Sequence, residues 1–309
     1  MTMTRRMALA SGAALPLATL APLAASAQTA PAAEDTPRLS HRIEFGNMTI
    51  NVLLGGEGAG TEPQKTFGLN ASAEDFNELS EENFIPADRS FNNYAPVVIE
   101  VGDEVILFDT SVNPDSILAA LASAGIAPDA ITTLVITHMH GDHIGGMSAD
   151  GTLTFPNAKL VTGQVEMDYW AQSGNETFES KVRPFMDDFR LISGDDEVVP
   201  GIKAIEAFGH TPGMLMFMLT NDEGNTLLVA ADMTNHYVWS LARPEWEVRF
   251  DMDKPTAIAT RQKVLAMLSE EKIPFIGYHM PFPSVGYVAE TEDGFRFVPA
   301  TYQFKLAAS

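Results

Sequence analysis

Three histidines and an aspartate fall within six positions, at His138, His140, Asp142 and His143, in a chain with only seven histidines. They follow the apolar run Leu134-Val135-Ile136, so they stand at the end of a buried strand. In an extended segment, positions two apart face the same way, which lets His138 and His140 reach one point. Gly141 then permits a sharp turn that carries Asp142 and His143 toward a second point close by. Imidazoles and a carboxylate converging in this way are donors for a divalent metal. The 309 residues contain no cysteine, so imidazole and carboxylate must supply any such site.

Three more candidates share the strand-end placement. His210 follows Ile205-Glu-Ala-Phe-Gly209 and precedes Thr211-Pro212-Gly213, Asp232 ends Leu227-Leu-Val-Ala-Ala231, and His279 ends Phe275-Ile-Gly-Tyr278. Together they give His138, His140 and His210 at one metal and Asp142, His143 and His279 at another, with Asp232 as the natural bridge. Taken singly, His210 also reads as a satisfied core histidine, Asp232 as a helix N-cap before Met233-Thr234-Asn235, and His279 stays ambiguous. His41 reads as a surface residue; His236, four past Asp232, either backs a ligand or lines a pocket. Two metals about 3.5–4 Å apart that share a water lower its pKa from about 15.7 toward neutrality. The expected reaction is therefore hydrolysis by a bridging hydroxide attacking carbon or phosphorus. Asp232 holds both metals, and Asp142 orients the hydroxide or moves its proton.

The elements that position these residues are mostly strands. Ile43–Leu54 reads as a strand pair, and residues 96–101 and 105–109 as two strands joined by a tight turn at Gly102-Asp103-Glu104. Pro114–Ala124 has helical spacing with Gly125 as a C-cap, and Pro255–Ser269 is the clearest helix. Short strands are expected at 134–137, 159–161, 203–207, 215–219, 226–230, 275–277 and 295–298. The segment 55–94 is polar and shows little periodicity. It reads as a lid over the site or as a plain surface excursion. Nothing repeats at a fixed period, and the mix implies layered α/β architecture.

Composition narrows the partners. The net charge is −22, and the first 27 residues carry two arginines and no acid, so the remainder is more negative still. Such a surface suits neither nucleic acid nor anionic lipid, which leaves a neutral small-molecule substrate. The N-terminus has Arg5-Arg6, an alanine-rich apolar stretch and Ala25-Ser26-Ala27, the pattern of a twin-arginine signal peptide over residues 1–27. Pro16 and Pro22 interrupt the run, which argues against a stable membrane anchor. The expectation is a periplasmic protein with a flexible leader over 28–40 and one hydrolase domain over 41–309.

The order His-x-His-x-Asp-His, His, Asp, His resembles the metallo-β-lactamase superfamily, and the resemblance spans about Ile43 to Val298. The stretches Gly277-Tyr-His-Met-Pro-Phe-Pro283, Ala242-Arg-Pro-Glu-Trp246 and Phe250-Asp-Met-Asp253 are similar to its exported methyl parathion hydrolase-like branch, related to N-acyl-homoserine lactonases. The resemblance implies a four-layered αβ/βα sandwich, a dinuclear site usually occupied by zinc, and a homodimer. It also makes Trp170 the leading substrate-pocket residue, followed by Phe185, Phe189 and Trp239, for each of which core packing is an equal reading. Lactones, aryl esters and phosphotriesters are the substrates implied. A β-lactamase-type amide hydrolase and a non-catalytic metal-binding protein are the alternatives. Two departures stand out: Met214 replaces a histidine common after His-Thr-Pro-Gly, and Asn235 stands where related lactonases commonly have a tyrosine.

Overall fold

Unbroken apolar runs such as Val97-Val98-Ile99, Ile106-Leu107-Phe108 and Leu134-Val135-Ile136 belong to strands covered on both faces. The computed structural model describes residues 38–306; the expected signal peptide, 1–27, and the leader up to residue 37 lie outside the described residues. One seven-stranded sheet has the spatial order Ser40–Phe45, Met48–Leu53, Val97–Val101, Glu104–Phe108, Thr133–Ile136, Lys159–Gly163, Phe189–Ile192. Its neighbours are antiparallel up to Glu104–Phe108 and parallel beyond it. Val97, Ile99, Ile106, Phe108 and Val135 face the inner core. Val98, Leu107, Leu134 and Ile136 face outward against Ile117 and Leu121 of helix Pro114–Ala124 and Met167 and Trp170 of helix Gln164–Trp170.

A second seven-stranded sheet runs Glu197–Val199, Ile202–Glu206, Leu215–Thr220, Thr226–Val229, Phe275–Ile276, Val285–Glu290, Phe295–Pro299. Its Leu215, Phe217, Leu219, Leu227 and Val229 share the inner core with the first sheet. Met216, Leu228 and Phe275 turn the other way, onto Val264, Leu265 and Leu268 of helix Lys254–Glu271. Helix, sheet, sheet and helix thus stack in four layers, the αβ/βα sandwich expected. Phe108 and Phe217 join the sheets with ring centroids 4.9 Å apart.

The helix termini follow the sequence signals. Asn113 accepts from the Ser116 amide at the start of Pro114–Ala124, and Gly125 closes that helix at φ +74°. Asp253 accepts from the Thr256 amide and starts the long helix at Lys254.

The segment 55–94 is not irregular, contrary to its weak periodicity. It forms a hairpin of Gly56–Thr61 with Arg89–Tyr94, and between them the helices Gln64–Phe67 and Ala73–Glu82. Glycine at 56, 58 and 60 removes the side chains that would have alternated, so the strand carries no apolar pattern. Phe67, Phe76 and Leu79 anchor the segment in a satellite core with Trp239, Trp246 and Val248.

Phe217→Ala should cost about 3–5 kcal/mol in denaturant unfolding, because it empties the inter-sheet core. A loss below about 1 kcal/mol would show that the two sheets do not depend on this contact.

Candidate metal centre

Four turns that follow strands supply the candidate ligands. Thr133–Ile136 runs into His138, His140 and the short helix Gly141–Ile144; Ile202–Glu206 leads to the turn at His210. Thr226–Val229 and Phe275–Ile276 pair in parallel, so the chain leaves them side by side, toward Asp232 and His279. All seven predicted ligands come together in two groups: His138, His140 and His210, and Asp142, His143, Asp232 and His279. Within each group the donor atoms lie within 4.8 Å of one another.

In the first group, His140 Nδ1 lies 3.2 Å from His138 Nε2 and 3.0 Å from His210 Nε2. Tetrahedral zinc with Zn–N distances of about 2.0–2.1 Å separates its nitrogens by roughly 3.3 Å, so this spacing suits one ion. In the second, His143 Nε2 and Asp232 Oδ1 are buried 3.2 Å apart, yet neither has a hydrogen-bond partner. Two orphaned lone-pair atoms facing one point are what a cation would satisfy. Asp232 lies between the groups, with Oδ2 3.3 Å from His210 Nε2 and 3.0 Å from His279 Nε2. The Asp142 carboxylate is 3.4 Å from His279 Nε2 and 3.7 Å from His143 Nε2. The donor set therefore fits two divalent ions.

Electrostatics agree. Burial holds His138 well below the usual imidazole range and His140 at about 3, so both rings present lone pairs. Burial also opposes charge on His210, but hydrogen bonds to Asp232 and Asp251 outweigh it and raise that pKa to about 9. His143 and His279 are raised against burial in the same way, chiefly by Asp232. The carboxylates draw positive charge onto the rings around them, a demand that bound cations would meet.

The outer nitrogens are all but fixed. His143 Nδ1 is 2.8 Å from Asp109 Oδ2, His210 Nδ1 is 2.9 Å from Asp251 Oδ1, and His279 Nδ1 is 2.9 Å from the Asn93 carbonyl. His138 Nδ1 lies 3.1 Å from Thr137 Oγ1, which itself donates to Asp109 Oδ2. These partners set the tautomers that turn each Nε2 inward. Arg261, buried with Asp251, pairs with its second oxygen at 2.5 Å. Glu166 is wholly buried and accepts from Met139 N, Trp170 Nε1, Thr211 Oγ1 and Gly213 N, tying the His138–His143 turn to the His210 turn. Tyr278 stacks on His143 at 3.9 Å and donates to the Asp142 carbonyl. Of these supporting residues, Asp109, Glu166 and Arg261 were not picked out from sequence as part of the site. Asp109 carried the same signal as Asp232, an aspartate closing an apolar strand, whereas Glu166 and Arg261 carried none.

The site opens into a cavity of about 340 Å³ lined by Phe67, Asn92, Tyr94, Phe250, Asn235 and part of the ligand set. The expected aromatic wall is elsewhere. Trp170 is committed to Glu166 and meets His140 edge-on at 5.7 Å, so it braces a ligand without lining the chamber. Phe189 is core, and Phe185 packs against that core. Trp239 stacks on His236 and Phe76 and donates to Ser80. None of the four lines the chamber, whose wall includes Phe67, Asn92 and Tyr94 of the segment 55–94; Trp239 and His236 line a second cavity of about 550 Å³. His236 touches no ligand; burial lowers its pKa to about 3, and Nδ1 accepts from the Val238 and Trp239 amides. Asn235 donates to Asp232 Oδ2 at 3.4 Å, and Met214 is core. His41 is half-buried on an edge strand.

A family model described as the metallo-beta-lactamase superfamily matches residues 93–272. An N-acyl homoserine lactonase of Bacillus sp is 26% identical over 186 residues, which is 60% of this chain and 67% of that protein. Metallo-beta-lactamase domain-containing protein 1 of Xenopus laevis is 28% identical over 142 residues, 44% of this chain and 53% of that protein. Among solved structures, AidC, a dizinc quorum-quenching lactonase, has a TM-score of 0.80 at 21% identity over 86% of this chain and 99% of its own. The hydrolase AbOPH has a TM-score of 0.78 at 21% identity over 85% of this chain and 98% of its own. These two likenesses show the fold.

Asp251→Asn should weaken one of two metal-binding events by about 10–100-fold in chelator competition and leave the other within about threefold, since Asp251 contacts only His210 of the set. Equal weakening of both events would place the effect in the fold instead of in that ligand.

Proposed function

Because the chain belongs to the metallo-β-lactamase superfamily and is a metal-dependent hydrolase, we propose that it holds two divalent ions, zinc foremost, and hydrolyses neutral lactones, with aryl esters and phosphotriesters as further substrates. The observation that carries this reading is Asp232, one carboxylate within 3.0–3.3 Å of imidazoles in both groups. His138, His140 and His210 would hold one ion, Asp142, His143 and His279 the other, and Asp232 both. When bound, the ions supply a water of lowered pKa and an electrophile for the carbonyl or phosphoryl oxygen.

The remaining chemistry falls to this chain's own groups. Asp142 is the most open of the carboxylates, at 25% side-chain exposure, and its free oxygen is placed to hold or pass a proton. Phe67 and Phe250 give the chamber apolar walls, and among the described residues no lysine or arginine lines it. An uncharged substrate suits such a wall. A β-lactam antibiotic carries a carboxylate for which the chamber offers no side-chain cation, which speaks against the amide-hydrolase alternative. Lactones lead because the curated relatives include N-acyl homoserine lactonases. A homodimer and export to the periplasm by the twin-arginine route complete the reading; light scattering and cell fractionation test them. No described helix is long and apolar enough to cross a membrane.

Zinc-reconstituted protein should hydrolyse N-hexanoyl-homoserine lactone, with weaker turnover of phenyl acetate and methyl parathion and none of nitrocefin. Chelation should abolish the activity. Turnover of none of the four would refute the hydrolytic reading, and strong nitrocefin turnover would replace it with the amide one. Metal analysis should find about two equivalents per chain, falling toward one in Asp232→Ala.

A further inference from the structure

Among the described residues the chamber has three polar side chains beyond the candidate ligand set, Asn92, Tyr94 and Asn235. Asn235 is engaged with Asp232. Tyr94 is held against the set itself: its ring meets His279 edge-on at 5.7 Å and lies 6.4 Å from Tyr278. The residue before it, Asn93, fixes His279 through its carbonyl, so one strand places both the ligand and the phenol. The Tyr94 hydroxyl makes no hydrogen bond among the described residues, and it is not sealed from solvent. It is a donor without an acceptor, on a residue that lines the chamber.

The opposite strand shows what holds the phenol there. Gly56 pairs with Tyr94 and Gly58 with Asn92, on one face of the hairpin. A Cβ at Gly56 would come 3.1 Å from Tyr94 Cδ2, and one at Gly58 would come 2.8 Å from the Tyr94 hydroxyl oxygen. Neither glycine has a positive φ, so the backbone does not require glycine at either position. What they provide is room: the ring lies along bare backbone, its hydroxyl over Gly58.

We propose that Tyr94 is a catalytic residue of this hydrolase, its phenol donating a hydrogen bond to the substrate oxygen on which negative charge develops. The proposal rests on the hydrolytic reading above. It assigns the donor to the hairpin, away from the turn after Asp232, where Asn235 stands. The phenol keeps its proton throughout and acts as a fixed dipole, contributing more to the charged transition state than to the bound substrate.

The test uses zinc-loaded Tyr94→Phe, Gly58→Ala and the double variant. Tyr94→Phe should keep about two metal equivalents and lower kcat on N-hexanoyl-homoserine lactone on the order of 10- to 100-fold, with KM within about threefold. Gly58→Ala, whose new methyl displaces the hydroxyl, should show a comparable loss, and the double variant should be no slower than about twice below Tyr94→Phe. Independently of turnover, calorimetric titration with methylphosphonate, a tetrahedral oxyanion, should show at least about fivefold weaker binding to Tyr94→Phe than to the parent protein. Unchanged methylphosphonate affinity overturns the proposal whatever turnover does. Weakened affinity in a protein that hydrolyses no substrate upholds the phenol as an oxyanion donor and refutes the hydrolytic reading alone.

Discussion

The site depends on keeping the buried carboxylates behind the candidate ligands, Asp109, Glu166 and Asp251, fully hydrogen-bonded. An ionised carboxyl removed from water costs several kcal/mol unless donors surround it. Asp109 is 2% exposed, sits at φ +61°, and accepts from Thr137 N, Thr137 Oγ1 and His143 Nδ1. Those donors are spread along the turn that carries four of the seven candidate ligands. The turn cannot shift without stranding the charge, so the cost of burial becomes the means of positioning. Asp251 with Arg261, and Glu166 with its four donors, repeat the device at the His210 turn. Three saturated carboxylates thus hold converging imidazoles whose lone pairs would otherwise repel one another.

This division of labour explains what could be read from the residues alone. The two candidate ligand groups were legible because metal chemistry restricts residue type, and because strand ends are visible as apolar runs that stop. The central strands were legible for a related reason: Val97-Val98-Ile99 and Leu134-Val135-Ile136 are apolar throughout, since each strand feeds two cores, whereas Phe189–Ile192, Glu197–Val199 and Val285–Glu290 were not expected. Supporting carboxylates were harder. Glu166 looks like any acidic residue in an amphipathic helix, and its role appears only when Met139, Thr211 and Gly213 arrive from two other turns.

The segment 55–94 was hidden for the opposite reason. Its strand Gly56–Thr61 has glycine at every second position, so the usual period-two signal is carried by missing side chains. The pattern makes sense only with the partner strand in place, where Tyr94 fills the space over Gly56 and Gly58. The aromatic wall was mislocated by the same blindness. Trp170 and Trp239 have the size and spacing of pocket residues, but each indole N–H is bound to a buried acceptor, Glu166 Oε1 or Ser80 Oγ. Trp170, its polar edge satisfied inside the core, braces His140, while Trp239 lines a neighbouring cavity and not the chamber.

The charge of the chain gains a physical sense from this arrangement. With a net charge of −22 and, among the described residues, no lysine or arginine lining the chamber, bound ions would be the chief source of positive potential at the site. An anionic ligand approaching from solvent is repelled by the protein until it meets those ions, whereas a neutral ester or lactone approaches without that barrier. In the proposed reaction, negative charge that develops only after binding, on the substrate oxygen, would be met at short range by the ions and by hydrogen-bond donors in a chamber with apolar walls. Such an arrangement favours the transition state over any ligand already charged, because the stabilising groups act where charge appears and the surface acts against charge that arrives.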